Sequence, residues 1–201
     1  MISVSPSMRR QLRAGAAGAL VGAGAGLALL PVSDGGMVVL GALVLAAAMA
    51  AIGYEDALRF RIPDAWVYGA LAAGLAYGAL MLPGPLWSLA GPLGALVSAV
   101  LCGGAFLIVR EGFFRLRGID GLGLGDVKLA AAGGAWLGTE AFAYAVLAAA
   151  AGAVAFVLLR AMRGAGWSVS QRIAFGAFLA PAIWLAWLGQ NLWIAHSGFG
   201  G

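Results

Sequence analysis

The sequence contains few charged residues, one cysteine and one histidine. Charged residues make up 10% of the 201 positions, whereas a soluble domain carries about a quarter. The single Cys102 excludes an internal disulfide and a CxxC metal site, and its apolar surroundings predict a packing role. The net charge of +4 comes without a patch of interleaved basic and aromatic residues, so no nucleic-acid partner is expected.

Apolar residues and glycine are abundant instead, at 63% of the sequence and 33 positions respectively. A membrane-spanning helix needs about 20 apolar residues. Apolar runs predict seven helices, at 14–31, 37–54, 65–82, 90–109, 126–138, 141–159 and 173–195. The fifth is too short to cross a bilayer alone. The sequence therefore predicts one all-α domain over residues 1–201, a polytopic membrane bundle of six to seven transmembrane helices.

Glycine and proline also mark the limits and the contacts of these helices. Turn residues lie between the apolar runs at 31–36, 83–85, 139–140 and 164–166. Other glycines recur every four residues, which places them on one helix face and lets two backbones approach closely. They are Gly18, Gly22 and Gly26, then Gly74 and Gly78, then Gly134 and Gly138. This spacing indicates a compact bundle.

The basic residues predict the orientation of the bundle. All 12 fall on one side when seven helices alternate in direction: Arg9, Arg10, Arg13, Arg59, Arg61, Arg110, Arg115, Arg117, Lys128, Arg160, Arg163 and Arg172. The positive-inside rule makes this side cytoplasmic, so the N-terminus is expected inside and the C-terminus outside. The first run could also be a cleaved signal peptide. It is long for one and lacks an A-x-A-like site, so we expect it to be retained.

Two acidic residues lie where apolar helices meet this face. Asp56 closes the second predicted helix and Asp126 opens the fifth, and a carboxylate so close to hydrocarbon indicates function. Two carboxylates in one site tend to hold one proton between them. The charged one can then deprotonate a water while the neutral one donates a hydrogen bond to a carbonyl. The helix dipole favours the charged form of Asp126.

Composition alone leaves other interpretations of these acids open. Asp126 could be a first-turn acid that pairs with Lys128 or a loop arginine, and Asp56 could pair with Arg59 or Arg61 at the surface. The two acids could also relay ions or protons in a small transporter or channel component, or belong to a non-catalytic assembly protein. No metal is expected, because neither His nor Asn accompanies the acids.

Several neighbours could shape such a site. Gly123 and Gly125 permit backbone angles that other residues avoid, and they would let an extended substrate approach the main chain. Lys128 could face headgroups or an acidic substrate side chain. Asp64 is placed to cap the third helix, and Asp120 could tune the site or form a turn.

The basic segment 110–117 forms a further candidate element of the site. Its sequence, Arg-Glu-Gly-Phe-Phe-Arg-Leu-Arg, is amphipathic and predicts a segment that lies in the membrane interface. It could either move to admit a substrate or serve as a plain surface anchor.

Four stretches carry a joint pattern. They are Asp56 six residues before Ile62-Pro63-Asp64, the run 118–129 with Gly123-Leu124-Gly125-Asp126 at its centre, Ala135-Trp136-Leu137-Gly138, and the run 175–181. Together they resemble the type IV prepilin peptidases, GxGD-type aspartic proteases of the bacterial inner membrane. The resemblance covers about residues 40–190.

The resemblance implies that Asp56 and Asp126 are the catalytic aspartates of an endopeptidase without a cofactor. Such an enzyme cleaves the basic leader from prepilins or pseudopilins at the cytoplasmic face, before the substrate's apolar helix. Its partners are the prepilin and the bilayer, with pilus or type II secretion machinery as an indirect partner. Larger members carry paired cysteines in a cytoplasmic insertion and also N-methylate the product. This chain has one cysteine and resembles the short members that serve Flp/Tad-type pili. Neither N-methyltransferase activity nor S-adenosylmethionine binding is therefore expected.

Overall fold

The computed structural model describes residues 6–29, 36–81, 91–118, 121–163 and 173–197. Every regular element within these ranges is a helix, which confirms the all-α prediction. The helices are α1 (Pro6–Leu29), α2 (Gly36–Arg59), α3 (Asp64–Met81), α4 (Pro92–Arg117), α5 (Leu124–Met162) and α6 (Gly176–Ser197).

Helix α5 is 39 residues long and is broken at Gly138. Gly138 has φ 73° and ψ 176°, a conformation outside the helical region that glycine adopts without steric cost. The ring of Phe142 lies against Gly133, although a straight helix would separate these residues by about 13 Å along its axis. The chain therefore folds back at Gly138, and α5 has two arms.

The two arms of α5 correspond to the fifth and sixth predicted helices. The break lies at Gly138, so the predicted separator 139–140 is wrong, since both of its residues are helical. The other predicted helices match α1, α2, α3, α4 and α6 with shifted ends. Helix α1 begins earlier, at Pro6, and α4 continues to Arg117, so the amphipathic segment 110–117 forms the last turns of α4. Of the predicted turns, 31–35, 83–85 and 164–166 lie outside the described residues.

An aromatic cluster joins three helices in the core. The rings of Tyr77 in α3 and Trp136 in α5 stack at 5.1 Å, and Trp187 in α6 meets Trp136 edge-on at 6.0 Å. The indole N–H of Trp136 donates to the Ala70 carbonyl at 2.8 Å, so its polar atom is satisfied inside the bundle. The cluster fixes α3 and α6 against the first arm of α5.

Some of the regularly spaced glycines allow close contacts between helices, as predicted, whereas Gly138 breaks α5 and has nothing within 4 Å of its Cβ position. A Cβ on Gly18 would lie 2.4 Å from the Ala46 carbonyl oxygen, so α1 packs on the backbone of α2. A Cβ on Gly134 would lie 2.5 Å from the Ser98 carbonyl oxygen and 2.9 Å from Cys102, which brings α5 onto α4. Cys102 is buried in this contact, which confirms its packing role.

The outside of the bundle carries many large apolar side chains. Large apolar side chains such as Ile108, Leu147 and Leu158 are more than half exposed. Of the described helices, α2, α4 and α5 are long and apolar enough to cross a membrane. Because helices satisfy their own backbone groups, an apolar helical bundle of this kind is suited to lipid. The protein is a helical membrane protein.

Candidate active site

Asp56 lies in the last turn of α2 and is 5% exposed. Its Oδ2 accepts a hydrogen bond from the Ala177 N–H at 2.9 Å, and the Gly176 N–H also donates to the carboxylate. Both donors belong to the first turn of α6, whose N–H groups have no partners within the helix. The end of one helix thus presents a carboxylate to the start of another.

The contact between Asp56 and α6 requires glycine at position 176, because a side chain there would collide with its neighbours. A Cβ at Gly176 would lie 2.9 Å from Asp56 Oδ2 and 2.8 Å from Ile62 Cδ1. These distances are shorter than any ordinary carbon contact. Any larger residue would therefore push the carboxylate or the α2–α3 connection away from α6.

The chain leaves α2 through a strained residue four positions after Asp56. Phe60 has φ 53°, in the left-handed region that non-glycine residues avoid at a cost of about 1–2 kcal/mol. Its N–H donates to the Asp56 carbonyl at 2.9 Å and closes the last turn of α2. The Phe60 side chain is exposed and lines the same cavity as the Asp56 carboxylate.

Asp126 lies in the first turn of α5. Its Oδ2 accepts from the Gly123 N–H at 3.2 Å, which caps the helix, while its Oδ1 is buried and has no hydrogen-bond partner. Asp126 and Asp56 are close enough to interact electrostatically. The structure therefore brings together two carboxylates that are 70 positions apart in the sequence, one of them with an open oxygen.

The two carboxylates line one cavity of about 370 Å³. Its wall includes the loop that precedes α5, the C-terminal ends of α2 and α4, and the approach to α6. The other lining residues are Phe60, Arg110, Gly121, Leu122, Gly123, Leu124, Ile173, Ala174 and Phe175. A cavity that combines two acids with apolar and basic residues can hold a water and an extended peptide beside it.

The two glycines before Asp126 act differently from the prediction. Gly123 has φ −73° and ψ 148°, an extended conformation open to any residue, and Gly125 is helical. The expectation that they supply unusual backbone angles is therefore wrong. A Cβ on Gly125 would lie 2.8 Å from Ile62, so this glycine lets α5 pack against the α2–α3 connection. Gly123 lines the cavity and caps α5 with its N–H.

Lys128 and Asp64 form an ion pair with each other. Lys128 Nζ lies 2.7 Å from Asp64 Oδ1 and 5.3 Å from the centre of the Tyr68 ring. Asp64 is the first residue of α3, so the pair joins the starts of α3 and α5. The alternative in which Lys128 neutralises Asp126 does not match this contact.

The sequence left open whether Arg59 pairs with Asp56. In the structure Arg59 pairs with Glu55 instead. Glu55 is 3% exposed, and its Oε2 lies 3.3 Å from Arg59 Nε. Asp56 itself faces α6. The predicted site residue Asp120 lies outside the described residues.

Sequence reasoning missed the N–H donors of Gly176 and Ala177 and the strained Phe60. Arg110, by contrast, belongs to the segment 110–117 that the sequence indicated as a candidate element of the site. A backbone donor carries no side-chain signal. The glycine at the start of an apolar helix was the only available clue to the first of them. Within the part of the chain that the structure describes, no group of three or more His, Cys, Asp or Glu side chains could hold a metal ion.

The sequence matches the family model described as the type IV leader peptidase family over residues 43–159. A prepilin leader peptidase/N-methyltransferase of Burkholderia pseudomallei (strain 1026b) is 38% identical over 142 residues, which cover 70% of this chain and 43% of that protein. The corresponding protein of Neisseria gonorrhoeae is 29% identical over 170 residues, or 79% of this chain and 54% of that protein.

A shorter relative is covered more fully. Leader peptidase HopD of Escherichia coli is 32% identical over 127 residues, which cover 63% of this chain and 78% of that protein. The chain spans about half the length of the peptidase/N-methyltransferases that it matches. No solved structure shows a significant match. The family match covers both Asp56 and Asp126 and more than half of the sequence, and the chain belongs to the type IV leader peptidase family.

Proposed function

We propose that this protein is an aspartic endopeptidase that removes the leader peptide from type IV prepilins or pseudopilins. The observation that carries the proposal is the shared cavity of Asp56 and Asp126 at one end of an apolar bundle. Relatives named prepilin leader peptidase/N-methyltransferase support the substrate class. Aspartic proteolysis requires two carboxyl groups around one water, and this arrangement is compatible with that requirement.

The hydrogen bonds support separate roles for the two acids. Two backbone N–H groups favour the charged form of Asp56, whereas Asp126 Oδ1 is buried without a donor and is suited to carry the shared proton. Asp56 then removes a proton from the water, and the water oxygen attacks the scissile carbonyl carbon. Asp126 donates its proton to the carbonyl oxygen. This assignment reverses the one expected from the helix dipole at Asp126.

Collapse of the tetrahedral intermediate completes the reaction. The carbonyl re-forms, the C–N bond breaks, and the proton held by Asp56 passes to the leaving amine. The oxygen of the re-formed group returns its proton to Asp126, so both acids regain their starting states. The products are a leader with a new carboxyl terminus and a pilin with a new amino terminus.

The proposed topology places this site at the cytoplasmic face of the bacterial inner membrane. Seven helical segments cross or enter the membrane, counting the two arms of α5 separately, and the N-terminus is cytoplasmic. The C-terminal ends of α2 and α4, which carry basic residues, lie at the same end of the bundle as the cavity. The positive-inside rule supports a cytoplasmic location for that end.

The proposed activity is proteolysis alone. The prepilin and the bilayer are the direct partners, and the pilus or secretion machinery receives the product. We assign no methyl transfer to this chain, although several relatives carry that activity in their names. The mass of the new N-terminus, measured on processed pilin, tests this part of the proposal.

Co-expression with a prepilin from the same genome tests the proposed function. The wild-type protein should convert the prepilin to a faster-migrating form, and N-terminal sequencing should place the cut at the end of the leader. Asp126→Asn should accumulate in the membrane and leave the prepilin intact. Substrate flux through proteoliposomes without leader cleavage would instead identify a transporter and contradict the proposal.

A further inference from the structure

A second cavity, of about 470 Å³, lies between α1, α2 and α6. We call it the α1–α2–α6 groove. Its walls are almost wholly apolar and are built mainly from small residues, with Met49, Tyr54 and Trp184 as the larger ones. Small residues on neighbouring helices leave room for another helix to approach closely.

The groove begins where the candidate active site ends. Gly53, which lines the groove, precedes Asp56 by three positions on α2. Ala177 also lines the groove, and its N–H donates to Asp56 Oδ2. The neighbouring Ala174 and Phe175 line the active-site cavity. A substrate chain could therefore pass from the two acids into the groove along the start of α6.

Two polar groups lie at the groove. Pro181 lies inside α6 and has no N–H, so the Ala177 carbonyl lacks the usual hydrogen bond from four residues later. The indole Nε1 of Trp184 is buried without a hydrogen-bond partner. A carbonyl close to the catalytic end can accept from the unpaired N–H groups at the start of a helix.

We propose that the α1–α2–α6 groove binds the apolar helix of the substrate that follows the scissile bond. This inference rests on the proposed function and names the second contact that the substrate makes. Within hydrocarbon the occupant must satisfy its own backbone groups, so it enters as a helix. The first N–H groups of the substrate helix donate to the Ala177 carbonyl, and the side chains of that helix pack against the apolar walls of the groove.

Filling the groove tests the proposal directly. Ala17 lines the groove and is exposed, so Ala17→Phe obstructs it without touching either acid. Ala16 is also exposed, lies on the same helix and is not part of the groove, which makes Ala16→Phe the matched control. Two substrates are compared: an intact prepilin from the same genome and a soluble peptide that spans its scissile bond and lacks the apolar helix.

The expected result is selective. A loss of about 60 Å² of apolar contact corresponds to roughly tenfold weaker binding. Ala17→Phe should therefore raise KM for the intact prepilin about tenfold or more, with little change in kcat, and should cleave the short peptide like the wild type. Ala16→Phe should match the wild type with both substrates. Equal kinetics of the two variants on intact prepilin would overturn the proposal.

Photo-crosslinking separates a substrate helix from a lipid as the occupant. Benzoylphenylalanine at Val21, a groove residue, is introduced into the inactive Asp126→Asn protein. Crosslinks to the apolar segment of the prepilin support the proposal, and crosslinks to lipid alone overturn it. A wild-type protein that cleaves neither substrate refutes the proposed function itself. If the wild type is active and Ala17→Phe cleaves intact prepilin equally well, only this inference is refuted.

Discussion

The Ala177 N–H donates to Asp56 Oδ2 at 2.9 Å across 121 positions of sequence. Through this bond the last helix holds a carboxylate that the second helix presents. Asp126 approaches from a third element, the first turn of α5. The site therefore requires correct packing of α2, α5 and α6 at once, which explains why the residues that position the acids lie far from them in sequence.

Replacing either acid by its amide should abolish cleavage while leaving the fold in place. Asp56→Asn and Asp126→Asn keep the shape of the side chain and remove the proton exchange, and such exchange contributes about 10²–10⁴-fold to a rate. Initial rates on a prepilin in detergent, with the amount of membrane-inserted protein determined for each variant, measure the effect. Glu140→Gln changes an exposed acid next to the break in α5 and should retain full activity. An amide variant with near wild-type rate would exclude that residue from catalysis.

Gly176→Ala should reduce activity without removing any catalytic group. The new Cβ would lie 2.9 Å from Asp56 Oδ2, so the carboxylate must move and lose its bonds to α6. We expect a lower kcat and a smaller change in thermal stability. Gly189→Ala, on the same helix, is the matched control, since nothing lies within 4 Å of its new Cβ. If both alanine variants had the same kcat, the α6 donors would have no role in orienting Asp56.

The pair of Asp64 and Lys128 should behave as a structural contact. Both side chains are partly exposed, and ion pairs in water contribute little to stability. Asp64→Asn and Lys128→Gln should therefore lower Tm slightly and to a similar extent, and the double variant should lose little more than either single one. Both should cleave prepilin with an unchanged KM.

A substrate contact would give a different pattern for these variants. If Lys128 bound an acidic side chain of the prepilin, Lys128→Gln would raise KM while Asp64→Asn would not. Measuring KM at several salt concentrations adds a check. If Lys128 paired with the substrate, salt would screen the pair and raise KM for the wild type, whereas KM for Lys128→Gln would not depend on salt in this way.

The sequence was sufficient for what composition and periodicity determine. Apolar runs predicted the helices, including a short one before a break, and the basic residues placed Asp56 and Asp126 at one end of the bundle. The structure adds the position of the break at Gly138. The spacing of apolar residues does not predict the backbone angles of a single glycine. The partner of Lys128 was also out of reach, because an ion pair across 64 positions depends on how two helices dock.

The hydrogen bonds that α6 makes to Asp56 were unpredictable for a related reason. Gly176 and Ala177 contribute N–H groups, which every residue except proline has, so no residue type marks them. Gly123 and Gly125 were interpreted through the backbone freedom of glycine, whereas the structure uses the absence of a side chain at Gly125 to admit Ile62. Glycine has both properties, and only the packing decides which one matters.

The final prediction concerns the aromatic cluster that holds α3 against α5. A Cβ on Gly74 would lie 2.7 Å from Trp136, whose ring is fixed by stacking on Tyr77 and by its bond to Ala70. Since the ring cannot move freely, Gly74→Ala should destabilise the protein by about 1–3 kcal/mol. Thermal unfolding in detergent measures the change.

Gly69→Ala is the control on the same helix, because nothing lies within 4 Å of its new Cβ. It should leave stability unchanged or raise it by up to about 1 kcal/mol through helix propensity. Gly74→Ala should also lose activity in proportion to the unfolded fraction, since Trp136 lies on the arm of α5 whose first turn carries Asp126. Equal stability of the two variants would show that α3 can withdraw from Trp136 at no cost, and that the cluster does not fix the position of α5.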